Sequence, residues 1–218
     1  MAARIAFDHE LSALHADISR MGAQVQDAIE RAVAALVDQD AIAAQDIMDK
    51  DDAIDDMEEA IDQRCLEIIT RQQPVAKDLR DVASAMKLVT DLERIADHAS
   101  DISERIIALS ERKKVMVPHD LIVMGNQSRL MVQGALDAYI LGSVQQAESV
   151  IAMDDKVDVL YERIKNELIR LMAVDTGSVA EMVDLLLICK YFERIADHAQ
   201  NVAEWVRFLL EGTYLRFD

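Results

Sequence analysis

The 218-residue sequence predicts an all-α protein built as two tandem, pseudo-symmetric three-helix bundles. Three observations carry that prediction. Gly occurs 6 times, Pro twice and aromatics make up 4%, so Ala, Leu, Met and Glu dominate and helix breakers are scarce. Apolar residues recur at the 3.6-residue spacing of helices, with no period-2 alternation of any length. The segment Glu93-Arg-Ile-Ala-Asp-His-Ala99 returns unchanged as Glu193-Arg-Ile-Ala-Asp-His-Ala199.

In chain order, the periodicity predicts helices over residues 5–39, 41–72, 76–111, 119–142, 144–173 and 178–211. Pro74 follows the second, Pro118 precedes the fourth, and Gly177 separates the fifth from the sixth. The first and fourth share Met21-Gly22 with Met124-Gly125, and Gln24 with Gln127. The second and fifth share Asp51-Asp52-x-Ile-Asp55 with Asp154-Asp155-x-Val-Asp158, and the third and sixth share the identical segment. Each half therefore carries three long helices, and the charged run Glu111-Arg-Lys-Lys114 sets the boundary, giving units 1–114 and 115–218.

The third helix has one seam, Leu88, Leu92, Ile95, Ala99, Ile102, Ile106 and Leu109, that is apolar throughout and needs only packing to explain it. A second seam, Leu79, Val82, Met86 and Val89, runs on into Glu93 and Asp97. The sixth helix repeats both patterns: Ile188, Phe192, Ile195, Ala199, Val202, Val206 and Leu209 are clean, while Val179, Met182, Leu186 and Cys189 lead into Glu193 and Asp197. A carboxylate on a core-facing seam has to be paired, protonated or bound to a cation.

Asp51 with Asp55, and Asp154 with Asp158, stand one turn apart on one helix face and supply the other half of an acidic cluster. Like charges at this spacing repel, and Asp52, Asp56, Glu58, Glu59 and Asp62 crowd the same helix. The candidate metal ligands are thus Asp51, Asp55, Glu93, Asp97, Asp154, Asp158, Glu193 and Asp197, two all-oxygen sets suited to hard cations such as magnesium, manganese or iron. The competing reading is ordinary ion pairing with Arg94 and Arg194, or with Lys87 and Lys190. His98 and His198 beside these acids read as polar-edge hydrogen-bonding groups, with ligation as the alternative. The 11 methionines, Cys65 and Cys189 read as core.

Other chemistry has no foothold. There is no G-x-S-x-G, Gly-rich phosphate loop, H-E-x-x-H or Cys beside His. The Glu-x-x-His of di-iron carboxylate enzymes fails because Ala96 and Ala196 stand third after Glu93 and Glu193. A net charge of −18, from 41 acidic against 23 basic residues, argues against nucleic acid and anionic lipid. Two cysteines, no secretory signal and no apolar run long enough for a bilayer place the chain in the cytoplasm, near a membrane only through partners.

The segments Asp91-Leu-Glu-Arg-Ile-Ala-Asp-His98 and Tyr191-Phe-Glu-Arg-Ile-Ala-Asp-His198, with Lys77-Asp-Leu-Arg80 and Asn201-Val-Ala-Glu204, resemble the PhoU family of bacterial phosphate regulators over nearly the whole chain. Family members commonly carry Gly where Ala96 and Ala196 stand. The resemblance implies tandem three-helix bundles whose acid-x-x-x-Asp motifs hold metal, here iron, manganese, magnesium or zinc, on the same eight residues. It also implies a negative regulator of the phosphate-starvation response, not an enzyme. Its partners would be the phosphate ABC transporter, through its ATPase subunit, and a sensor histidine kinase, and it would act as a homodimer. A carboxylate-bridged metal enzyme or metal store is the alternative, and a bare helical scaffold the third reading.

Overall fold

The computed structural model describes residues 2–212, so the extreme ends of the two units read from the sequence, residue 1 and residues 213–218, lie outside the described residues. Those residues form α1 (Ala2–Asp38), α2 (Ala41–Met48), α3 (Asp51–Gln72), α4 (Lys77–Ser110), α5 (His119–Leu141), α6 (Val144–Ile151), α7 (Asp154–Val174) and α8 (Val179–Glu211), with a 3-10 turn at Thr176–Ser178. Helices α1, α3 and α4 make the first bundle and α5, α7 and α8 the second. The most extensive packing joins the two halves through α4 and α8, backed by α1 against α5.

The predicted helices 41–72 and 144–173 are each broken in two. Asp49 and Lys50 keep right-handed backbone angles (φ −65°, ψ −16° and φ −101°, ψ −5°), as do Ala152 and Met153, so the chain kinks without Gly or Pro. The kink recurs at the same place in both halves and leaves Asp51 and Asp52, like Asp154 and Asp155, in the first turn of a new helix. Carboxylates there face the positive end of the helix dipole, so the kink lowers the cost of crowding acids at that point. Each short helix is capped at the matching position: Asp40 accepts from the backbone N–H groups of Ile42 and Ala43 (2.9 and 3.1 Å), and the Ser143 hydroxyl accepts from Gln146 N–H (3.3 Å).

The clean seams behave as predicted. The seam residues from Leu88 to Leu109 and from Ile188 to Leu209 are all buried, on the two helices that pack most extensively against each other, α4 and α8. These helices run antiparallel: Arg80 Nε donates to the Leu209 carbonyl (3.0 Å), His198 Nδ1 lies 2.8 Å from Asp91, and Arg105 reaches Asp184 (3.6 Å). Behind them α1 and α5 approach closely at two matched glycines. A Cβ on Gly22 would lie 2.7 Å from Leu136, and one on Gly125 would lie 2.8 Å from Phe192 and 2.9 Å from Val33. Val33 is the first-half match of Leu136, so the halves are related by a local two-fold axis that exchanges these contacts.

Candidate metal centre

Two helices position each acidic set. In the first half, α3 presents Asp51 and Asp55 from its first two turns and α4 presents Glu93 and Asp97, one turn apart. Among the described residues, oxygens of Asp55, Glu93 and Asp97 converge within 4.8 Å of one another. Asp51 borders the group: it accepts a hydrogen bond from Ser100 and feels the charges of Asp55 and Asp97.

The electrostatics are those of carboxylates short of cations. Burial, reinforced by Asp55 and Asp97, pushes the Asp51 carboxyl up to about 6, and burial with Asp158 and Asp197 does the same to Asp154. Burial followed by carboxylate neighbours also raises Asp55, Glu93 and Asp197, the last chiefly through Glu193. Desolvation and like-charge repulsion both favour the protonated acid. A hard cation would reverse both effects, and an all-oxygen donor set of this kind fits one.

Of the four cations weighed against metal binding, Arg94 and Lys190 pair with candidate ligands. Arg94 lies 3.3 Å from Glu93 and 2.9 Å from Asp97, and its side chain remains 55% exposed on the outer rim. In the second half Lys190 pairs with Glu193. Asp154 and Asp158 of α7 stand opposite Glu193 and Asp197 of α8, close enough that the charges of Asp197 and Glu193 bear on Asp154 and that of Asp158 on Asp197. Asp55 is exposed, and the other three first-half acids are partly buried.

The histidines are held by hydrogen bonds. His98 Nδ1 lies 3.1 Å from Asp101, and His198 Nδ1 lies 2.8 Å from Asp91, which also accepts from Asn201 (3.2 Å). Three further acidic groups complete the surroundings: Glu58 and Asp62, expected only to crowd the second predicted helix, and Asp184, for which the sequence carried no expectation. Glu58 and Asp62 continue the acidic face of α3; Thr90 donates to Glu58 (3.4 Å), while Asp62 Oδ1 is buried without a hydrogen-bond partner. Asp184, 4% exposed, is neutralised by Arg105 and by Arg112 from the connection between the halves. The alternating four-and-three spacing of the clean seam of α8 continues upstream from Ile188 to Leu185, not to Asp184, so the seam carried no signal for it.

A profile of the PhoU domain matches residues 18–106 and again residues 121–206, the two halves in turn. The chain belongs to the PhoU family. Relatives named phosphate-specific transport system accessory protein PhoU homolog include one from Clostridium acetobutylicum, 40% identical over 94% of each chain. The crystal structure of PhoU from Pseudomonas aeruginosa superposes with a TM-score of 0.90 at 38% identity, covering 95% of this chain and all of that one. The phosphate transport system regulatory protein PhoU from Streptococcus pneumoniae gives 0.90 at 30% identity, covering 97% and 100%. The PhoU relatives bear the names of accessory and regulatory proteins, not of enzymes.

Proposed function

We propose that this chain is an accessory protein of a phosphate-specific transport system, acting as a negative regulator of the phosphate-starvation response. The observation that carries the reading is the PhoU match over both halves, with relatives named for that transport system. In this reading the protein is a cytoplasmic adaptor, working as a homodimer, that links the ATPase subunit of the phosphate ABC transporter to a sensor histidine kinase. No described helix is long and apolar enough to cross a membrane, so contacts with membrane-bound partners would be made by helix surfaces.

Metal binding is part of the proposal. Asp51, Asp55, Glu93 and Asp97 would hold ions in the first unit (1–114), and Asp154, Asp158, Glu193 and Asp197 in the second (115–218). The oxygen-only donor set favours manganese, magnesium or iron over zinc, which prefers nitrogen and sulfur. Bound cations would also supply the positive charge that a −18 protein lacks for meeting phosphate or an anionic partner.

Deleting the gene tests the regulatory reading. Phosphate-scavenging genes should switch on even in phosphate-rich medium; if they stay phosphate-responsive, the adaptor role fails and a metal store takes its place. Metal analysis of untagged protein tests the second part, with loss of bound metal in a Glu93→Gln/Asp97→Asn/Glu193→Gln/Asp197→Asn variant as the expected result.

A further inference from the structure

Two of the five histidines meet where the halves meet. His98 follows Asp97 in α4, but one step along a helix turns to another side. Asp97 converges with Asp55 of α3, whereas the His98 ring meets that of His198 on α8, with 5.7 Å between centres and planes tilted by 37°. His198 follows Asp197 in the same way. The pair is largely shielded from solvent, with side-chain exposures of 11% and 23%.

Each imidazole is already oriented by a carboxylate. His98 Nδ1 lies 3.1 Å from Asp101, and His198 Nδ1 lies 2.8 Å from Asp91, which Asn201 holds in turn (3.2 Å). A neutral imidazole that donates from Nδ1 to a carboxylate carries its lone pair on Nε2, the form in which histidine binds metal. The hydrogen bonds of both rings run through Nδ1, which leaves Nε2 for another partner. A ring centre lies about 3 Å from an ion bound at its nitrogen, so two imidazoles sharing one ion have centres about 5–6 Å apart. The observed separation falls in that range. Asp91 and Asp101 also set negative charge against that of Arg194, which bears on His98.

We infer that His98 and His198 form a two-imidazole site on the local two-fold axis for a nitrogen-preferring divalent ion, copper, nickel or zinc, separate from the two oxygen sets. Imidazole favours these ions, whereas carboxylates alone suit magnesium and manganese, so one chain sorts two classes of metal. Water completes the coordination. The two ligands come from different halves, on the helices that pack most extensively, so a bound ion joins the bundles at their axis. The site does not depend on metal in the acidic sets.

The probe is Cu²⁺, the divalent ion that nitrogen ligands hold most tightly, added at one equivalent to metal-stripped full-length protein in excess Mg²⁺. Electron paramagnetic resonance should show splitting from two ring nitrogens. His98→Gln and His198→Gln should each remove one nitrogen from the spectrum and weaken Cu²⁺ binding by at least about tenfold, a loss that even an outer hydrogen-bonding partner can cause. A Glu93→Gln/Asp97→Asn/Glu193→Gln/Asp197→Asn variant should keep both nitrogens. Cu²⁺ should raise the melting temperature of wild type and of that acid variant, and leave His98→Gln/His198→Gln unmoved. Circular dichroism verifies that each variant is folded, and Asn replaces Gln at a position where it is not. A wild-type spectrum with fewer than two ring nitrogens would overturn the site without any variant, as would a spectrum unchanged in both histidine variants. Loss of the nitrogen splitting in the acid variant would overturn the separation of the two classes.

Discussion

His98 and His198, the same residue in the two repeats, face each other across the α4–α8 contact with ring centroids 5.7 Å apart. They mark the local two-fold axis, yet their partners differ: His98 is aligned by Asp101 of its own helix and stacks on Tyr191 at 5.7 Å, while His198 is held by Asp91 of the other half. Tyr191 stands where the first half has Asp91, so a single substitution between the repeats makes one histidine local and the other a cross-link.

Replacing Asp91 by Ala therefore removes two hydrogen bonds between the halves, from His198 and Asn201. The expected loss is about 1–3 kcal/mol in urea unfolding. Asp101→Ala, whose partner lies on its own helix, should cost less.

Stability without metal should fall as pH rises through the range near 6. The folded-state pKa values of Asp51 and Asp154 lie above that of an unfolded aspartate, so between about 4 and 6 the folded state holds more protons and ionisation weakens it. Burial lowers the pKa of His98, and below its ordinary value this group acts in the opposite sense. Comparing wild type with Asp51→Asn/Asp154→Asn in chelator cancels that contribution. The double variant should match wild type near pH 4 and be the more stable at pH 7, as read by urea midpoints. Mn²⁺ should raise the melting temperature of wild type at pH 7 and not that of the double variant.

Gly125→Ala should destabilise the fold by about 1–3 kcal/mol, because its Cβ would strike both the fully buried Phe192 ring and Val33. At Gly22 the obstacle is the tip of Leu136 alone, which can rotate, so Gly22→Ala should cost less. Thermal denaturation of the two variants gives the ranking.

Removing Arg105 and Arg112 together, as Met, leaves Asp184 buried without a counter-charge and should cost about 3–5 kcal/mol in denaturant unfolding. Adding Asp184→Leu to that variant should recover much of the loss, because the buried charge then disappears.

The long helices and the packing seams were legible because burial repeats with helical period; each residue from Leu88 to Leu109 named for the core is in it. The break before Asp51 was not legible, since Asp49 and Lys50 stay in the right-handed region that any residue adopts. The acid pairs stood out only because the repeat fixed their register, choosing Asp51 with Asp55 over Asp52 with Asp56. Their surroundings were legible only in part: Glu58, Asp62 and Lys190 stood out as charged neighbours, but they have no echo in the other half and nothing in the repeat fixed their place around the acid pairs.

The exchange of contacts at Gly22 and Gly125 bears on how substitutions combine. Changes at matched positions far from the axis fall on separate surfaces and should add, whereas His98 and His198, whose rings meet across it, belong to one patch seen from two sides. Near the axis, duplication has made the chain its own nearest neighbour, so that drift in either copy is constrained by the other.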